Sequence, residues 1–305
     1  MMTLSTFVET LGQQLLRAFG ERVHKVTVDA GFTCPNRDGT RGTGGCTFCN
    51  NRSFHPQAPR AGVAEQVRAG MACVARRTHA RKVIAYFQTY TNTYAPVSEL
   101  ERLYDEALAV PGVVGLSVGT RPDCLSEPIV ALLASYQARG FVVWVELGLQ
   151  SSFDETLKRV NRGHSFAEYQ AAVALLHTYA LPVCTHLIIG LPGEGPMHAR
   201  ETLARVLALG VAGLKFHPLH VVRGSRLAHD WRRHAFEPLA LGDYVSTVAD
   251  LIERTPRRVV FHRLTGTARA ALLLAPAWCS GKWRVLNAIT QELARRQTRQ
   301  GALVS

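Results

Sequence analysis

Cys34, Cys46 and Cys49 lie on one glycine-rich stretch, Cys34-Pro35-Asn36-Arg37-Asp38-Gly39-Thr40-Arg41-Gly42-Thr43-Gly44-Gly45-Cys46-Thr47-Phe48-Cys49. Three thiolates form a metal-binding set, and the glycines let the backbone curl so that N–H groups turn toward an anionic iron–sulfur centre. A closed structural zinc or [4Fe–4S] site takes four protein ligands, whereas three leave one metal position open for a substrate or cofactor. Two plainer readings use the same residues. Cys34, Cys46, Cys49 and His55 could form a Cys₃His zinc knuckle, and Cys46-x-x-Cys49 alone could be a redox pair.

Such a loop needs an element to deliver it. Residues 24–28 alternate apolar and polar side chains with β-branching, and Asp29-Ala30-Gly31 ends the pattern, so the cysteines leave the C-terminal end of a strand. Beyond them strand and helix patterns alternate. Strands are predicted at 82–87, 113–118, 141–147, 182–189 and 212–216, and helices at 63–78, 129–138 and 199–209. Ser98-x-x-Glu101, Ser152-x-x-Glu155 and Ser165-x-x-Glu168 read as capping boxes that start helices. Six strands separated by helical segments predict an α/β fold, a partial (βα)₆ TIM-like barrel whose chemistry sits at the C-terminal strand ends.

Residues 1–20 place Leu4, Phe7, Val8, Leu11, Leu15 and Phe19 at helical spacing, which predicts one amphipathic helix rather than a signal peptide. The tail predicts a helix at 241–254, a short strand at 258–262 and an amphipathic helix at 282–296. The expected organisation is therefore an N-terminal helix within 1–22, a barrel over 23–217, and a C-terminal α/β extension, 218–305, that closes the barrel and faces substrate.

The chain carries 35 Lys+Arg against 23 Asp+Glu, a net charge of +12, and 30 of those cations are Arg. This balance suits a polyanionic partner such as nucleic acid, because neutralising phosphates releases counterions. No apolar run reaches the length of a membrane span, so no membrane is expected. The seven cysteines show no disulfide framework, which predicts the reducing cytoplasm. Cys73, Cys124, Cys184 and Cys279 read as small buried residues.

The cysteine triplet, with Phe48 just before its last member, resembles the radical S-adenosylmethionine (SAM) superfamily. The eleven residues between Cys34 and Cys46 resemble the branch related to the Elp3 radical SAM domain. Gly190-Leu191-Pro192-Gly193 resembles a segment of the superfamily at large, whereas Gly119-Thr120-Arg121-Pro122-Asp123, Lys215-Phe216-His217-Pro218 and Arg263-Leu264-Thr265-Gly266 narrow the resemblance to the stand-alone YhcC-like family, over nearly the whole chain.

The resemblance implies a [4Fe–4S] cluster on Cys34, Cys46 and Cys49, with S-adenosyl-L-methionine on its open iron. It implies reductive cleavage of SAM to methionine and a 5′-deoxyadenosyl radical, fed by a low-potential donor such as flavodoxin or ferredoxin. In the segment that starts at Glu146, it assigns Gln150 to the SAM ribose and Arg162 to the methionyl carboxylate. Phe48, Gln88, Arg121, Asp123, Glu146 and His186 are placed in the SAM neighbourhood in the same way. It further implies a tRNA substrate, modified at the wobble-uridine side chain. The rival readings are a radical SAM enzyme for a small metabolite or protein, and a non-catalytic, zinc-stabilised RNA-binding protein.

Overall fold

The computed structural model describes residues 3–50 and 61–304, so His55 lies outside the described residues. Seven parallel strands form one sheet and pair in chain order. They are β1 (Val23–Val28), β2 (Lys82–Phe87), β3 (Val113–Thr120), β4 (Val142–Gln150), β5 (Val183–Ile189), β6 (Gly213–Pro218) and β8 (Val260–Arg263). A small antiparallel pair, β7 (Val221–Val222) with β9 (Leu273–Ala275), stands beside it. The sheet curls into a partial barrel, as the alternation predicted. The expected tail strand at 258–262 is β8, and it pairs in parallel with β6.

The period of two divides each strand between two environments. On β2, Val83, Ala85 and Phe87 face outward into a core shared with Leu100 and Tyr104 of α4 (Val97–Leu108), and Leu133 and Tyr136 of α5 (Glu127–Ala138). The same core takes Tyr169 and Val173 from α7 (Phe166–Thr178). Ile84, the neighbour of Val83, faces inward instead. There it joins Leu11, Leu15, Val23, Trp144, Cys184 and Val260 in an apolar plug. Leu11 and Leu15 come from α2 (Leu11–Phe19), so this helix closes the N-terminal end of the barrel. With that end sealed by hydrocarbon, ligands reach the interior only from the C-terminal strand ends.

Several local expectations are corrected. The predicted helix over residues 1–20 is two helices, α1 (Leu4–Phe7) and α2, because the chain between them pairs with β8. Phe261 N–H donates to Glu9 O at 2.9 Å, and Thr10 caps α2 in a capping box with Gln13. A sheet edge that would otherwise expose its N–H groups is thereby satisfied. Ser165 forms its predicted box with Glu168. Ser98 and Ser152 do not: α4 starts after Pro96, and α6 (Asp154–Arg159) starts after Phe153. The Ser152 hydroxyl bonds Thr202 at 3.1 Å instead. Cys73 is exposed on α3 (Val63–Thr78), and Cys124 is half-buried; only Cys184 and Cys279 of that group are buried.

The remaining helices, α8 (Pro196–Ala208), α9 (Arg226–Arg232), α10 (Leu241–Glu253) and α11 (Lys282–Arg295), follow the later strands. Val285, Ile289 and Leu293 of α11 join the same core as Val248 and Leu251 of α10.

Leu15 is 4% exposed within the plug. Leu15→Ala should lower the unfolding free energy by about 2–5 kcal/mol through lost burial and the cavity left behind. Urea denaturation followed by circular dichroism measures this, and an unchanged midpoint would show that the plug adds nothing to stability.

Candidate active site

The cysteine loop is held from three sides. Thr47 N–H donates to Val160 O at 2.9 Å, and Leu227 N–H of α9 donates to Thr47 O at 2.8 Å. Asn36 Nδ2 donates to Asn161 O at 2.5 Å, while Asn161 Nδ2 returns a bond to Gly45 O at 2.8 Å. Side-chain carboxamides thus splice the loop to the chain after α6. The Asn36 carboxamide fits between two glycines: a Cβ on Gly42 or Gly163 would approach Asn36 Oδ1 to 2.5 or 2.8 Å. Gly45 has φ +77°, and a Cβ there would meet Arg37 Nε at 2.8 Å.

Cys34, Cys46 and Cys49 all line one cavity of ≈ 220 Å³ at the C-terminal ends of the strands. Two N–H donors point at the buried Cys46 sulfur, Asn36 Nδ2 at 3.7 Å and Arg162 Nη1 at 3.6 Å. Burial, with the Cys46 thiol adding to it, pushes the Cys49 thiol up to about 11. Three thiols on one cavity suit a metal centre better than a redox pair, which needs only two.

The structure brings Phe48, Gln88, Arg121, Glu146, Gln150, Arg162 and His186 to the same cavity. Asp123 does not line it. Its carboxylate holds Arg121 from behind, with Nε and Nη2 each at 2.9 Å, and the Arg121 Nη1 donates to Arg162 O at 2.8 Å. Arg162 is engaged as well: Nε and Nη2 donate to Gly148 O at 3.2 and 2.5 Å. Gln150 at the end of β4 has φ +81°, and Tyr90 on the cavity rim has φ +63°. Side chains rarely adopt this region, so two cavity residues sit in strained backbone.

Below the cavity lies a layer that strand patterns alone did not reveal. Each strand of the sheet supplies one inward polar side chain: Lys25, Tyr86, Ser117, Glu146, His186, Lys215 and His262. Glu146 is fully buried at the centre. Its Oε1 accepts from Lys25 Nζ and from Ser117 Oγ at 2.6 Å, and faces His262 Nδ1 at 3.4 Å. Its Oε2 accepts from Lys215 Nζ at 2.9 Å and faces His186 Nε2 at 2.6 Å. Lys215 also donates to the Tyr86 hydroxyl at 2.6 Å.

Burial pushes the Glu146 carboxyl up, but the Lys215 and Lys25 ammoniums outweigh it and hold the carboxyl well below its usual range. Burial draws Lys215 down to about 8, and it draws His186 to about 4 and His262 to about 3. Both histidines are therefore neutral near pH 7. Glu146, Cys184 and His186 bring donor atoms within 4.8 Å of one another. The two ammoniums already occupy the carboxylate, and burial keeps the Cys184 thiol protonated, so this group is a charge cluster rather than a metal centre.

Missed in the sequence were Lys25, Tyr86, Ser117 and His262, each an ordinary strand residue locally. The available signal was a lysine or histidine at an inward position of a strand buried on both faces.

Comparison with known proteins adds to this geometry. The profile of the Radical SAM superfamily matches residues 37–206, and that of the Radical_SAM C-terminal domain matches residues 211–295. Protein YhcC of Escherichia coli (strain K12) is 47% identical over 283 residues, covering 92% of this chain and 91% of that protein. A tRNA uridine(34) acetyltransferase of Dehalococcoides mccartyi (strain CBDB1) is 30% identical over 166 residues, 53% of this chain and 35% of that enzyme. The archaeal Methanocaldococcus infernus Elp3 with an N-terminus deletion shares the fold at a TM-score of 0.70 and 19% identity. That match covers 91% of this chain and 64% of the Elp3 chain.

Two measurements follow from the polar layer. Glu146→Gln leaves the two ammoniums without a counter-charge and should cost about 3–5 kcal/mol in chemical denaturation; a midpoint equal to wild type would show that charge does not hold the layer. Stability should also fall as pH drops from 6.5 toward 4. His186 and His262, held by burial to about 4 and about 3, stay neutral in the fold while the unfolded chain takes up protons. A denaturation midpoint that stays flat across that window would contradict this.

Proposed function

Because this chain belongs to the radical SAM superfamily, among its YhcC-like proteins, we propose that Cys34, Cys46 and Cys49 hold a [4Fe–4S] cluster and that the cavity takes S-adenosyl-L-methionine. The observation that carries this reading is the convergence of the three thiols with Gln150 and Arg162 on one cavity wall. The wall suits such ligands. Thr91 lines the cavity with a buried hydroxyl that has no partner among the described residues, and a Cβ on Gly148 would strike Arg162 Nη2 at 2.8 Å and Gln150 Nε2 at 2.9 Å. The absence of a side chain at Gly148 therefore lets both polar groups reach the cavity.

A cluster held by Cys34, Cys46 and Cys49 would supply one-electron reductive cleavage of SAM to methionine and a 5′-deoxyadenosyl radical able to remove hydrogen from the substrate. The chain's own groups bind and orient. Asn36 and Arg162 donate to the Cys46 sulfur, and Phe48 adds an apolar ring to the cavity that the thiols line. Gln88, Gln150, Arg121, Glu146 and His186 belong to the SAM neighbourhood, and Asp123 acts through Arg121. SAM cleavage calls for a low-potential electron donor such as a flavodoxin or ferredoxin. Segment 218–305 faces substrate, through Leu219 and His220 on the cavity rim.

The substrate in this proposal is tRNA, modified at the wobble-uridine side chain. The net charge of +12 supports a polyanionic partner, and the partial likeness to a tRNA uridine(34) acetyltransferase supports this class. Cys46→Ala should lose the cluster's iron, its acid-labile sulfide and all 5′-deoxyadenosine formation under dithionite; full activity in that variant would refute the ligand assignment. A mass-spectrometric profile of tRNA nucleosides with and without the gene should show a wobble uridine held at a precursor stage. An unchanged profile would turn the search to small molecules and proteins.

A further inference from the structure

The polar layer carries more positive charge than its one acid balances. The parallel register aligns Gly148, His186, Lys215 and Arg263 across β4, β5, β6 and β8. Glu146 is the one carboxylate among the described residues that line the cavity, and Lys25 and Lys215 already share it. Arg263 is a third cation on this side. Its Nη1 lies 3.3 Å from His217 Nε2, and among the described residues no carboxylate lies within 4.0 Å of it. Burial, with the Arg263 charge adding to it, keeps His217 and His220 neutral, so the His217 ring can stand beside the guanidinium without repelling it.

The remaining positive charge faces a cavity with low-dielectric walls, where an unpaired ion is costly and a counter-charge binds strongly. Solvent does little to screen it, since Lys215 is 3% exposed and sits on the cavity wall itself. The loop after β8 locks the arrangement. A Cβ on Gly266 would come within 2.1 Å of His217 Nδ1, so the glycine lets the loop backbone seat directly on the imidazole. The cysteine side of the cavity has its own cations, Arg37, Arg121 and Arg162, the last bound to Gly148 O and the Cys46 sulfur.

We propose that Lys215 and His217 on the β6 wall of the cavity, with Arg263 of β8 against His217, form a subsite for an oxyanion of the substrate, a carboxylate or a phosphate. This rests on the cavity being the active site, and it adds the chemical class of the group that the substrate presents there. Lys215 has used two of its three N–H donors, on Glu146 and Tyr86, and keeps one for the anion. Arg263 supplies charge from behind His217.

The test uses the cluster-loaded protein without turnover. Its melting temperature is followed against inorganic phosphate and, separately, acetate, at ionic strength held constant with potassium chloride. A saturable rise of several degrees with at least one anion is expected. Phosphate alone would mark a phosphoryl group, and acetate alone a carboxylate. Arg263→Gln and His217→Gln should each abolish the saturable part, while Arg257→Gln, an exposed control on the surface, should keep it. No saturable rise with either anion, or the same rise in Arg263→Gln and His217→Gln as in wild type, would overturn the subsite. Should one of those variants not fold, the other decides. A protein that passes this test yet forms no 5′-deoxyadenosine would keep the subsite and lose the proposed activity.

Discussion

The buried Glu146 carboxylate is the constraint on which the rest of the barrel depends. An ion in that position is tolerable only if its oxygens are fully met by donors and its charge by cations. Lys25 and Lys215 supply the charge, and Ser117, His186 and His262 complete the shell. These partners come from β1, β3, β5, β6 and β8, so one carboxylate ties together strands that are far apart in the chain and brings both edge strands inward. Lys25 on β1 and His262 on β8 meet at 3.1 Å, which draws the first and last strands of the sheet toward each other.

This layer also separates two environments. Beneath it the α2 plug excludes water; above it the cavity opens toward the cysteine loop. A charged layer against an apolar floor makes the interior one-sided, so a bound ligand meets donors and cations from below and sulfur ligands from the loop. The loop itself is kept in place by hydrogen bonds from Asn36, Thr47 and Asn161 rather than by a core of its own. Its geometry therefore depends on the α6 and α9 segments that it bonds.

Much of the fold was legible because it is written in local periods. The strand over 82–87 and the helix over 63–78 match their predicted bounds, since alternation and helical spacing are properties of a short window. Capping boxes were less dependable. Ser98 and Ser152 carry the same pattern as Ser165, yet of the three only Ser165 caps a helix, because the helices start after Pro96 and Phe153, which leaves Ser98 inside α4 and Ser152 one residue before the cap of α6. The N-terminal helix breaks at Val8 to Thr10 for a reason no window contains: β8 needs a partner for its edge.

The sequence by itself determined the cysteine loop, the alternation that makes a parallel barrel, and the strand-end residues that gather at its mouth, because each is encoded within a few residues of chain. Tertiary structure alone decided which polar strand residues share one layer. Lys25, Tyr86, Ser117, Glu146, His186, Lys215 and His262 are spread over most of the chain, and each is ordinary beside its neighbours. Their meeting, the neutrality of the histidines and the uncompensated charge at Arg263 follow from strand register and burial, which are set only when the sheet closes.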